Sequence, residues 1–146
     1  RSALARRHTW WVRARLDHAA MHQAAQAWLG ENDFSAFRAA GCQSSTPMRC
    51  LHSACVVQRD DFLMLEFTAN AFLYHMVRNF VGTLAQIGQG RLSVHQAAEI
   101  LKGADRTAAG ETAPACGLTL AEVRYADNDR IPPPPRSLWL EGGWQD

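Results

Sequence analysis

The sequence has no unbroken apolar run near the roughly eighteen residues that a helical membrane span needs, and no signal peptide is expected. Membrane insertion through a helix is therefore without support. Cysteine is scarce: Cys42, Cys50, Cys55 and Cys116 are the only four, and no two stand in CxxC spacing. That argues against a zinc ribbon or finger and against a disulfide framework, and the expectation is reduced thiols in a cytoplasmic protein. There is no GxxxxGK[ST] or GxGxxG to cradle a phosphate, and no GxSxG to raise a nucleophile. No repeat is present, and no low-complexity segment beyond the four prolines at 132–135. Charge of one sign is not in excess either. A net charge of +1 excludes a strongly basic, nonspecific nucleic-acid binder, while leaving room for a local basic surface. The first residues, RSALARRHTWW, contain no initiator methionine, and the chain is expected to be a piece of something longer.

What is present suits one globular domain. The chain has 146 residues, 47% of them hydrophobic and 20% charged, enough for a real core and too apolar for disorder. His8 to Leu16 alternates: Trp10, Val12, Ala14 and Leu16 share one face, Thr9, Trp11, Arg13 and Arg15 the other, which predicts a half-buried strand. Asp17 is placed to cap a helix reaching about Leu29, with Met21, Ala24, Ala25 and Trp28 as its apolar stripe and Gly30 as its stop. ENDFSAFRAAGCQSSTP reads as a polar loop pinned by Phe34 and Phe37 and closed by Pro47. RCLHSACVVQ and FLMLEFTA have strand composition, and the short link Arg59-Asp60-Asp61 predicts an antiparallel hairpin.

Residues 70–88, NAFLYHMVRNFVGTLAQIG, predict an amphipathic helix with Phe72, Met76, Val77, Phe80, Val81, Leu84 and Ile87 buried and a largely polar opposite face. A further helix should start after Ser93 and end near Gly103. ADRTAAGETAPACG is a loop, Leu118 to Tyr125 the last strand, and residues 131–146 a proline-rich tail packed on the domain. The order strand, helix, strand, strand, helix, strand is the split βαβ, ferredoxin-like one. It predicts an α+β fold, an antiparallel sheet with helices on one face. The open sheet face must then meet solvent, RNA or another domain.

Few residues offer chemistry. His18 and His22 lie one helical turn apart, but HAAMH lacks the zinc-protease glutamate and a third ligand, so a solvated helix edge is the better reading and no metal is expected. Arg13 and Arg15 on one strand face, with Arg38 in the polar loop, are candidate RNA contacts, against the plainer reading of solvated charges. Arg78 stands apart. It is the one charge in an apolar helix, between His75 and Gly82, each about one turn away. A guanidinium cannot shed its charge, so it must be paired if buried or snorkel to the surface. Gly82 would let a backbone or a ligand come close.

Three stretches carry a resemblance. FTANAFLYHMVRNFVGTLAQIGQGRLS resembles the helix motif of the tRNA pseudouridine synthase A (TruA) family. GENDFSAFRAAGCQSSTP resembles the family's loop after its second-domain helix, and DRTAAGETAPACGLTLAEVRY its last loop and strand. The resemblance covers about residues 8 to 140, nearly the whole chain. The resemblance implies a cytoplasmic enzyme of two similar α/β domains, usually a homodimer, that isomerises uridine to pseudouridine in the anticodon stem-loop of tRNA without metal or cofactor. An aspartate attacks the flipped-out nucleotide, the glycosidic bond breaks, the uracil turns and carbon bonds to carbon.

The family's aspartate lies in an RTDxGVHA-like motif of its first domain, which this sequence lacks; DRT at Asp105 to Thr107 is a reversed lookalike. The resemblance therefore covers the C-terminal domain only, half of the two-domain fold, inactive alone. It implies that Arg78 pairs with the aspartate of the missing domain and that Leu118 packs on the target base. His75, Gly82 and Gly117 would be lesser substrate-binding positions. The alternative is a noncatalytic RNA-binding or dimerisation module of ferredoxin-like fold.

Overall fold

The computed structural model describes residues 7–125. Asp17 accepts the Ala20 N–H at 3.0 Å and so caps α1 (His18–Gln26). The chain then turns through Gly30, whose φ of +88° suits only glycine, into β1 (Gly30–Asp33). A single 3-10 turn (Ser35–Phe37) and a loop lead to β2 (Met48–Arg59), which folds back through Asp60 and Asp61 into β3 (Phe62–Ala69). Helices α2 (Met76–Gly88) and α3 (Val94–Gly103) complete the order. The sheet runs β1-β2-β3 and is antiparallel throughout. This α+β architecture is consistent with a ferredoxin-like pseudouridine synthase half-domain.

A β-bulge between Leu51 and Ser53 breaks the strand period. It lets Leu51, Ala54 and Val56 all turn inward, where they join Leu63, Leu65 and Phe67 of β3 against the helices. The centre is aromatic. Trp28, Phe34, Phe37 and Phe80 are fully buried, with Trp28 stacked on Phe80 at 4.8 Å and Phe37 edge-on to Phe80 at 4.7 Å. The Trp28 indole N–H donates to the Ala97 carbonyl at 2.9 Å, tying α1 to α3 without leaving a polar atom unmet. The loop residues Phe34 and Phe37 are thus core.

Much of the sequence reading holds. The caps at Asp17 and Ser93, the hairpin, and the α1 stripe lie where expected, and Ser93 forms a full capping box with Gln96. Four expectations need correction. Residues 8–16 run as turn and bend rather than strand, and residues 118–125 carry no ladder bonds. Gly117, just before the second segment, does meet the first, since a Cβ on it would lie 3.3 Å from the His8 carbonyl oxygen and from Trp10 N. Yet Trp10, on the supposed inward face, is nearly as exposed as Trp11 on the outward one. Alternation is a local preference; it does not by itself build a ladder. Thirdly, Glu31–Asp33 of the expected loop belong to β1, paired to Met48–Cys50.

The fourth correction concerns residues 70–75. They are not helical: the Asn70 Oδ1 accepts the Cys50 and Ala71 N–H groups, and the Tyr74 carbonyl accepts from Ala39. Phe72 is exposed, and Leu73 takes the buried place. Helix α2 itself is enclosed on its polar side as well, for Asn79, Gly82 and Thr83 are all buried. The proline-rich tail lies outside the described residues.

Candidate active site around Arg78

His75 precedes α2 in a left-handed conformation, φ +61° and ψ 6°, uncommon for a residue with a Cβ. That turn aims the imidazole along the helix start. Its Nε2 lies 2.9 Å from Nη1 of Arg78, one turn on. Because a guanidinium can only donate, Nε2 is the acceptor in this contact. Tyr74 stacks on the imidazole at 3.9 Å. The second tie comes from the far loop: Arg78 Nε donates to the Ala113 carbonyl at 2.7 Å, and the Ala113 N–H returns a bond to the Arg78 carbonyl at 3.1 Å. Arg78 is half-buried, and among the described residues no carboxylate pairs with it. Its donors thus rest on a carbonyl oxygen and an imidazole nitrogen.

Gly82 explains how the loop comes this close. A Cβ there would lie 1.7 Å from the Glu111 carbonyl oxygen. Of the two visitors its sequence position allowed, a backbone or a ligand, the structure seats a backbone. Gly110 is tight as well, its added Cβ falling 2.7 Å from Thr83 Cα. Sequence reasoning missed the polar ties here. Arg106 donates to Asn79 Oδ1, Thr112 Oγ1 and the Gly110 carbonyl, each at 3.0 Å, and Thr83 Oγ1 accepts the Gly110 N–H at 2.9 Å. The one available signal was the pair Asn79 and Thr83, polar residues a turn apart on an apolar helix. Asp105 starts the loop with Thr107 bonded to it, which holds its carboxyl below the usual range. Its contribution to the folded loop is therefore complete above the ordinary carboxylate pKa, and is lost as pH falls through the lowered one.

Further along, the chain turns at Ala115–Leu118, where the Leu118 N–H donates to the Ala115 carbonyl at 3.1 Å and Gly117 takes φ +97°. Leu118 stands half-exposed beyond that turn. The remaining expected residues lie elsewhere. Arg13 and Arg15 are exposed, Arg13 over the Trp11 ring at 5.3 Å. Arg38 is partly spent on its own loop, donating to the Cys42 and Ser44 carbonyls. His22 is occupied as well, accepting the Val56 N–H. Among the described residues no group of three or more His, Cys, Asp or Glu could hold a metal, and no helix is long and apolar enough to cross a membrane.

Cys42 borders the site. The Tyr74 N–H, then the Ser44 N–H and the Arg38 side chain, hold its thiol below the ordinary cysteine range. Its alkylation rate, followed by mass spectrometry against pH, should reach half-maximum at lower pH than that of a cysteine in an unstructured peptide. A coincident profile would mean that these bonds are not kept in solution.

Residues 24–126 match the family model described as tRNA pseudouridine synthase, and the chain belongs to that family. Similar relatives bear the more particular name tRNA pseudouridine synthase A. That of Glaesserella parasuis is 50% identical over 120 residues, covering 82% of this chain and 46% of the relative. That of Legionella pneumophila (strain Corby) is 43% identical over 142 residues, 95% of this chain and 54% of the relative. That of Blochmanniella pennsylvanica is 46% identical over 144 residues, 99% of this chain and 54% of the relative. The chain spans about half the length of the curated relatives it matches.

Proposed function

We propose that the full-length protein carrying this chain isomerises uridine to pseudouridine in the anticodon stem-loop of tRNA, and that this chain is its C-terminal half. The observation that carries the reading is Arg78, a half-buried guanidinium oriented by Ala113 and His75 with no carboxylate of its own among the described residues. Such a group is ready for an acid from outside. An aspartate of the other half, arriving at Arg78, would be held ionised, because a neighbouring positive charge favours the carboxylate. The fixed tie at Nε would keep its oxygen in line for attack. Leu118 would pack on the uracil, with His75 and Gly117 shaping the same cleft. Arg13, Arg15 and Arg38 would meet tRNA phosphates, Arg38 with whatever donors its loop leaves over. No metal or cofactor is called for by this chemistry.

The partners follow from the same reading: the N-terminal half of the protein, tRNA, and a second copy in a cytoplasmic homodimer. The exposed apolar side chains of Trp10, Trp11, Leu118 and Leu120 support a surface made for contact. The test uses tRNA tritiated at uracil C5, which loses its label when that carbon becomes the glycosidic one. Full-length protein should release tritium, and the 146-residue chain alone should stay at background. Background release by the full-length protein would overturn the reading; so would release by the chain alone that survives repurification, since it would place the nucleophile here.

A further inference from the structure

The loop that holds Arg78 is itself held by one side chain. Arg106 spans its turn, Nη1 on the Gly110 carbonyl at 3.0 Å and the Ala109 carbonyl at 3.4 Å, Nη2 on Asn79 Oδ1 and Thr112 Oγ1 at 3.0 Å each. All four partners are neutral oxygens. Only a planar fork with several donors can serve four acceptors at once; a lysine ammonium cannot. Asn79 is fully buried and carries the clasp inward: its Oδ1 takes both Arg106 and the Thr112 hydroxyl, and its Nδ2 donates to the Phe37 carbonyl at 2.7 Å. Asn79 is also the next residue to Arg78 on α2. One end of the loop is therefore bolted to the core beside Arg78, and the other end delivers the Ala113 carbonyl to its Nε.

We propose that Arg106 is a positioning residue for Arg78, acting through Asn79, Thr112 and the 105–113 loop. The loop buries little apolar surface of its own; Ala113 is its one buried hydrophobic residue. Its register on α2 thus rests on polar ties, and Arg106 makes the most of them. Losing the guanidinium should free the loop while the core stays folded. The Ala113 carbonyl then drifts, and Arg78 with it.

The kinetic part of the test rests on the proposed synthase activity; the exchange part does not. In full-length protein, Arg106→Met should lower kcat about 100-fold, the cost of an ångström-scale misplacement, with KM for tRNA within about twofold. Hydrogen exchange at the Ala113 amide should speed up at least about tenfold while the Leu84 amide of α2 keeps its protection, as local opening requires. Arg106→Lys should behave like the methionine variant, and methylguanidinium at low millimolar concentration should restore part of the kcat of Arg106→Ala. Wild-type exchange at Ala113 in both Arg106→Met and Arg106→Lys would overturn the proposal. So would loss of protection at Ala113 and Leu84 together, which would make Arg106 a general fold residue. A wild-type protein without turnover would sink the functional reading alone, since the exchange result still decides the clasp.

Discussion

Replacing Arg78 with methionine in the full-length protein should lower single-turnover pseudouridine formation by about 100- to 1000-fold, the range for removing one preorganised charged donor from a reaction centre. Affinity for tRNA should change by less than about threefold, because phosphate contacts spread over a wide surface dominate such binding. The variant should still fold. Methionine fills the space of the guanidinium stem, and removing a half-buried charge offsets the Ala113 carbonyl left unmet, a loss of about 1–3 kcal/mol at most. Arg78→Lys separates charge from geometry. It keeps the positive charge but lacks the rigid planar fork that reaches Ala113 and His75 in fixed directions while facing an incoming carboxylate, so it too should lose most of the activity. Single-turnover rates and filter binding on the same preparations measure both quantities. Unchanged turnover in Arg78→Met would show that the carboxylate finds its partner elsewhere.

Gly82→Ala should be the most damaging glycine-to-alanine change among the described residues. Alanine in a helix interior ordinarily gains about 1 kcal/mol over glycine. Here the new Cβ would fall 1.7 Å from the Glu111 carbonyl oxygen and 2.9 Å from its carbon, and both neighbours are backbone. A side chain could swing away; the loop can only lift. Lifting it strains or breaks the Gly110–Thr83 and Ala113–Arg78 bonds together. The expected loss is about 3 kcal/mol, the upper end for overpacking, with activity lost beyond what the remaining folded fraction explains. Gly103→Ala is the control. It lies at the end of α3 with nothing within 4 Å of an added Cβ, so it should leave the protein as stable or up to about 1 kcal/mol more stable. The urea midpoint should fall for Gly82→Ala and hold or rise for Gly103→Ala. An unshifted Gly82→Ala midpoint would mean that the loop does not sit on α2 in solution.

The candidate site was legible in part. Arg78 drew notice because a lone charge in an apolar helix needs an explanation, and His75 because helical spacing set it one turn away. The left-handed turn at His75 puts it at the α2 boundary instead, yet the imidazole still reaches the guanidinium. Arg106 was not legible: in a loop of polar residues an arginine looks like any solvated one, and its partners Asn79 and Thr112 lie 27 and 6 positions away.

The features that the sequence determined by itself are those whose energetics are settled within a few residues. Asp17 and Ser93 cap helices because their oxygens reach N–H groups of the next turn. Asp60 and Asp61 close the β2–β3 hairpin because so short a link leaves neighbouring strands little else to do. The aromatic and aliphatic stripe of α1 was bound to be buried somewhere. Tertiary structure decided the rest. The polar stretch Glu31–Asp33 became a strand because Met48–Cys50 offered it an edge. His8–Leu16, with a better strand pattern, did not: it runs as turn and bend and joins none of the three strands of the sheet. Residues 70–75 were taken out of the helix by bonds to Cys50 and Ala39, contacts that no local period encodes. Propensity is a weak local preference worth tenths of a kcal/mol per residue, whereas a paired edge or a filled core is worth several, so wherever the two disagreed the distant partner prevailed.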